Sequence, residues 1–224
     1  MGQMEMGKSK TIVSLIMNAL IVVFTTAIVV SYFTGKPGVL IKTGYESFKF
    51  FTTDSNILSA VAALIVLIFD IRILTGKNKE IPGWAVMAKY IGTTSVLLTF
   101  ATVMLFLGPM FGYYFVLKDT AFYMHFAGPL LALMSFWLFE TSYTIPKRFI
   151  HLAVIPMAIY GAVYVIEVLI IGEFDGWDDF YGFNTGGRWY LSIAAILLGT
   201  YLIAIGIRLL HNYAVKKHME KSSE

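Results

Sequence analysis

This chain contains no cysteine, so any chemistry must come from hydroxyls, imidazoles, amides and carboxylates. Disulfide scaffolds, thiolate metal sites and Cys nucleophiles are excluded. The densest polar cluster is FKFFTTDSNILS, residues 48 to 59. At about 100° per residue, Thr52, Ser55, Asn56 and Ser59 line one helical stripe, expected to face inward, while Asp54 points nearly the opposite way. Asp54 falls in a first helical turn, where the helix dipole favours a carboxylate, and reads as a cap residue rather than a catalyst. Ser59 fits the habit of membrane-helix serines of bonding the preceding turn. An Asn beside a Thr needs more explanation.

The second cluster is FYMHFAGPLL, residues 122 to 131. His125 is the one imidazole expected at the same depth as the Thr52 stripe, because His151, His211 and His218 fall toward the other membrane face. Pro129 cannot donate to the carbonyl of residue 125, so the helix should loosen where this imidazole sits. The plainer reading is an interfacial His that satisfies itself. Glu167 stands inside an apolar run, in line with Tyr160 and Tyr164, and an acid at that depth is a functional hypothesis by default. It could be structural, a proton carrier, an orienter of His125 or a cation ligand; the residues alone leave these open. The segment EFDGWDDFYGFNTGGR, residues 173 to 188, mixes four carboxylates with aromatics and glycines, and reads either as a solvated cap or as a lid. Its acid spacing matches no calcium loop, and the HExxH, GxSxG, Walker A and GxGxxG motifs are absent. No metal and no cofactor is expected.

The elements that must position these groups follow from composition. Of 224 residues 58% are hydrophobic and 14% charged, with a mean hydropathy of +0.73, which excludes a water-soluble globule, a disordered chain and a coiled coil. A bilayer core about 30 Å thick needs about 20 apolar residues per helix. Six segments qualify, at about 11–33, 52–74, 84–107, 121–139, 149–171 and 189–210. The runs do not alternate with period two, which argues against a β-barrel. The expectation is an all-α, six-transmembrane-helix bundle in one polytopic domain over 1–224, in the cell membrane as a multi-pass protein.

Lys8, Lys10, Arg72, Lys77, Lys79, Lys89, Lys147, Arg148, Arg208, Lys216, Lys217 and Lys221 collect on one side, against Lys36, Lys42, Lys49, Lys118 and Arg188 on the other. Twelve against five predicts both termini in the cytoplasm. Trp84 and Trp137 then mark the inner interface and Trp177 and Trp189 the outer one. The first span is too long for a signal-peptide core, and MGQMEM lacks the hydroxyl a myristoylation signal wants. No basic run suggests nucleic acid as a partner. Membrane lipids are the expected surroundings, and the oligomeric state is not readable.

FFTTDSN, residues 50 to 56, resembles the FT-x-x-SN signature of small bacterial six-helix membrane proteins related to the androgen-induced and androgen-dependent TFPI-regulating proteins. In the animal members a membrane-embedded Thr and His hydrolyse fatty acid esters of hydroxy fatty acids. The family Thr falls on Thr52, and the family His, shortly before a Pro opening the fourth helix, falls on His125. The family's YPF-plus-acid motif in the last outer loop reads YGFN here, from Tyr181 to Asn184, and Glu167 has no counterpart. The resemblance implies a Thr nucleophile activated by a His base acting on a long-chain fatty-acyl ester. Asn56, one turn deeper, would donate to the oxyanion, with Ser55, Glu167 and Tyr164 as further orienting groups. The competing expectation is a small-solute or proton-coupled transporter, or the substrate-binding membrane subunit of one, centred on Glu167.

Overall fold

The computed structural model describes residues 7–34, 44–172 and 175–222. MGQMEM, Lys36, Lys42, Glu173 and the side chain of Lys221 lie outside the described residues. Among the described residues six helices are long and apolar enough to cross a membrane: α1 (Lys8–Phe33), α2 (Phe51–Leu74), α3 (Gly83–Phe111), α4 (Thr120–Leu138), α5 (Lys147–Ile171) and α6 (Trp189–Glu220). Helices are the form an apolar run must take in lipid, because every backbone N–H and C=O then finds a partner within its own segment. The protein is an all-α, multi-span membrane bundle. The last helix departs most from expectation, running on past Leu210 to Glu220 as a tail in which His211 and Val215 stay buried while its lysines are exposed.

The core runs through α3, which packs against α2, α4, α5 and α6. Its most apolar stretch is 50% buried, against 17% for α6, so α3 is the axis and α6 a flank. Small residues let α2 and α3 approach closely: a Cβ at Gly92 would stand 3.0 Å from the Ser59 Cα. Ser59 is buried and its hydroxyl has no hydrogen bond among the described residues, so it serves this crossing by its size rather than by bonding the preceding turn. Toward the termini, Val66, Tyr90, Phe136 and Ile207 form one apolar cluster, pinned by the Tyr90 hydroxyl on the Ala204 carbonyl at 2.8 Å. At the other end Phe51, Leu98, Met157, Tyr160 and Tyr164 form another, beneath Trp177, Phe180, Tyr181 and Phe183 of the last connecting loop.

Three helices widen into π turns near that loop end: α3 at Val103–Leu107, α4 at Tyr123–Ala127 and α5 at Ile166–Ile171. Two precede a proline by two residues. Pro109 and Pro129 lack the N–H that would bond the fourth carbonyl back, and the preceding glycine N–H reaches five residues back instead, Gly108 to Val103 and Gly128 to Tyr123. The loosening expected around residue 125 is therefore a defined turn.

Candidate functional site

Thr52 is the second residue of α2 and His125 lies in the π turn of α4. Their side chains meet: Thr52 Oγ1 stands 3.4 Å from His125 Nε2. The other ring nitrogen fixes which one donates. His125 Nδ1 is 2.6 Å from the Val116 carbonyl oxygen, which can only accept, so Nδ1 carries the hydrogen and Nε2 presents its lone pair to the Thr52 hydroxyl. Val116 ends a single helical turn, Tyr113–Val116, in the α3–α4 connection, entered through Gly112 at φ 88°. A backbone carbonyl thus does the orienting that a carboxylate does in soluble hydroxyl–imidazole pairs, without burying a charge.

Asn56 does something other than expected. Its Nδ2 donates to the Thr52 carbonyl at 2.8 Å and to the Met124 carbonyl at 3.0 Å. Both amide hydrogens are committed, so none is left for an oxyanion; instead Asn56 ties the backbone of Thr52 to the residue before His125 and sets their approach. Ser55 is committed too, with its Oγ 2.9 Å from Thr99 Oγ1 and 3.2 Å from the Thr52 carbonyl, joining α2 to α3. Asp54 is in the first turn of α2, as expected, and faces the groove toward Tyr160 and Trp177 rather than His125.

Glu167 does not meet the tyrosines it was aligned with. The Tyr160 hydroxyl donates to the Lys49 carbonyl at 2.6 Å and the Tyr164 hydroxyl to Asp179 Oδ1 at 2.8 Å. An ideal helix would bring residues 160, 164 and 167 into register, but α5 unwinds into its π turn at Ile166. There the Glu167 carbonyl accepts N–H groups from Gly172 and Trp177. The half-buried Glu167 side chain has no hydrogen bond among the described residues.

Asp179 organises the last loop. Besides Tyr164 it accepts the Phe183 and Asn184 N–H groups at 2.8 and 2.9 Å, and the Tyr181 N–H bonds the Tyr164 oxygen at 3.0 Å. Gly176 is demanded by this path, since a Cβ there would stand 2.0 Å from the Glu167 carbonyl oxygen. The loop folds down so that the Tyr181 hydroxyl accepts the Phe51 N–H at 3.1 Å, one residue from Thr52. Its own hydrogen is left for the neighbouring Tyr160 hydroxyl or for whatever enters beside Thr52. Burial pushes the Tyr181 phenol up to about 12, against the lowering effect of the Phe51 N–H it accepts, so it stays neutral at physiological pH.

Two cavities meet at Thr52. One, about 420 Å³, is lined by Phe50, Phe111, Phe115, Val116, His125 and Tyr181; the other, about 50 Å³ and almost wholly apolar, lies between Leu98, Val103, Met157, Phe183 and Ile196. Thr52, Leu107 and Tyr181 belong to both. Phe111 and Phe115 are more than half exposed on the bundle flank, so the larger cavity borders what would be lipid. Among the described residues no group of three or more His, Asp or Glu is placed to hold a metal ion. Sequence reasoning missed Val116, Asn56 as a clamp and Tyr181 as a hydroxyl beside Thr52. Searches of family models, characterised proteins and solved structures return no match for this chain.

Proposed function

We propose that this protein is an intramembrane hydrolase of long-chain fatty-acyl esters, such as fatty acid esters of hydroxy fatty acids, with Thr52 as nucleophile and His125 as base. The observation that carries the reading is the 3.4 Å approach of Thr52 Oγ1 to a His125 nitrogen whose partner nitrogen is committed to Val116. Hydroxyl–imidazole bonds of free enzymes are often long and tighten with substrate. Nε2 takes the Thr52 proton as Oγ1 attacks the ester carbonyl, and the imidazolium returns that proton to the departing alkoxide. Water then repeats the sequence on the acyl-threonine, releasing the fatty acid. Tyr181 is the group best supported as oxyanion donor, in place of Asn56. The apolar walls suit hydrocarbon chains, and the flank opening suits entry from the bilayer.

We assign the chain to the Thr/His membrane hydrolases that its FT-x-x-SN segment resembles, in the cell membrane with both termini cytoplasmic. Lys89 drops out of the charge tally because it is buried, which leaves eleven basic residues against five and the same orientation.

The test uses purified protein in nanodiscs. It should release fatty acid from a long-chain ester, and a fluorophosphonate should attach at Thr52. Thr52→Ala and His125→Ala should each abolish turnover, and the double variant should be hardly worse than either, because nucleophile and base act as a unit. Hydrolysis that survives Thr52→Ala would refute the nucleophile. Proton-coupled uptake lost in Glu167→Gln would replace the hydrolase by a carrier.

A further inference from the structure

The half of the bundle nearer the termini holds charges that the chemistry at Thr52 does not use. Asp70 on α2, Lys89 on α3, Glu140 just past α4 and His211 on α6 are each 0% exposed. The links of the first three run through α1. Ser14 Oγ donates to Asp70 Oδ2 at 2.7 Å, Asn18 Nδ2 donates to Glu140 Oε1 at 3.0 Å, and the Lys89 ammonium donates to Asn18 Oδ1. Ser135 Oγ also donates to Glu140 Oε1, which stands 3.6 Å from Lys89 Nζ. Glu140 Oε1 accepts a hydroxyl and an amide and faces the ammonium at 3.6 Å, surroundings that favour an ionised carboxylate, so Lys89 and Glu140 count as one neutral pair.

Asp70 and His211 remain. With Asp70 ionised and His211 neutral the cluster would keep one net negative charge away from water, where an uncompensated charge is expensive. One more proton brings the sum to zero. Glu140 Oε2 is also buried and without a hydrogen bond among the described residues, but that carboxylate has Lys89 beside it, which leaves His211 and Asp70 as the seats for the proton. His211 Nδ1 stands 3.1 Å from the Phe136 carbonyl oxygen and Nε2 stands 2.9 Å from that of Tyr143. Carbonyls only accept, so both bonds are made only when both ring nitrogens carry hydrogen. The ring also lies flat on Phe136, 4.1 Å between centroids and 13° from parallel, which holds it between the two carbonyls. The other seat is Asp70 Oδ1, buried and without a hydrogen bond among the described residues.

We infer that Asp70, Lys89, Glu140 and His211 form a second site whose ligand is one exchangeable proton, held on the His211 ring in this arrangement with Asp70 as the alternative seat. Glu140 lies within electrostatic reach of both seats. The other charged groups stand outside the cluster. Lys10 on α1 meets His218 on α6 at 3.1 Å nearer the termini, and Arg208, about a turn before His211, bonds the Ile145 carbonyl through Nε at 2.8 Å. Lys147, Arg148 and His151 of α5 are exposed. This site is independent of the hydrolase reading, since it shares no residue with Thr52 and His125.

The experiment counts the proton spectroscopically in nanodiscs at neutral pH. Nitrogen NMR of labelled histidine distinguishes an imidazolium from the neutral ring, and infrared spectra show the C=O stretch of a protonated carboxyl. His211, identified by loss of its signal in His211→Gln, should be doubly protonated. Asp70→Asn, which keeps an acceptor for Ser14, removes the negative charge that retains the proton and should turn His211 neutral. His211→Gln should move the proton to Asp70, giving a carboxylic-acid band that the double variant with Asp70→Asn lacks. A wild-type protein with neutral His211 and no Asp70 acid band would overturn the inference, as would His211 remaining cationic in Asp70→Asn. If Asp70→Asn fails to fold, the band in His211→Gln, assigned with carboxyl-labelled aspartate, decides alone.

Discussion

A threonine hydroxyl becomes a nucleophile only if a neighbour takes its proton and another group receives the charge that develops on the substrate oxygen. In the proposed reaction His125, held by a backbone carbonyl, has the first task, and Tyr181, which lines both cavities with Thr52, has the second. Tyr181→Phe should therefore lower kcat by about 10²–10³-fold, the usual loss for one oxyanion donor, while changing KM little and leaving fluorophosphonate labelling of Thr52 measurable. Steady-state kinetics on the variant check this; an unchanged kcat would remove Tyr181 from the chemistry. Thr52 and His125 were legible in the sequence because each is a polar residue at a helix end with a local signal, a hydroxyl–amide stripe in one case and a following proline in the other. Asn56 was legible as unusual but not as a clamp, because its partner Met124 is a backbone carbonyl 68 residues away and side-chain type says nothing about it. The role of Tyr181 depends on Tyr164 and Asp179 bending the loop, a tertiary effect that no local pattern encodes.

At the level of elements, the π turn of α4 connects sequence to site. Without the Pro129 N–H the carbonyl of His125 goes without its α-helical partner, and the widened turn adds a residue that rotates the imidazole toward α2. Pro129→Ala restores the donor and lets the turn relax to α-helix. Because an interior proline costs a helix about 3 kcal/mol, the variant should unfold at the same temperature or higher, yet lose at least about tenfold in turnover as His125 swings by up to about 100°. Thermal unfolding and ester hydrolysis measured on one preparation test both halves, and full activity at raised stability would disconnect the turn from the site. The same widening defeated the helical-wheel alignment of Glu167 with Tyr160 and Tyr164. A wheel assumes one pitch, and α5 leaves that pitch at Ile166. Span positions were legible because lipid demands apolar length, whereas local pitch depends on which carbonyls find donors.

Across the whole molecule the polar groups divide by depth into two centres that lie toward opposite ends. The end beside the loop combines an open cavity, three widened helices and weak hydroxyl–imidazole geometry, whereas the end beside the termini has fully buried charges tied across α1, α2, α3 and α4. Lys89 was counted with the basic residues of the terminus side, and a lysine one or two turns inside a helix can indeed reach headgroups along its own stem. Only the packing of α1 and α4 around it shows the ammonium turned inward. The division predicts a stability pattern. Glu140→Gln or Lys89→Met alone strands a buried partner and should destabilise the bundle by about 3–5 kcal/mol, while the two together remove the pair and should be milder than either. Denaturation in mixed micelles measures the cycle, with His125→Ala as the contrasting change at the other end, expected to cost about 1–3 kcal/mol because it leaves the Val116 carbonyl unpaired but strands no charge. Additive losses at Lys89 and Glu140 would mean that the two charges are held separately by Asn18 and Ser135, and the frame would then rest on hydrogen bonds alone.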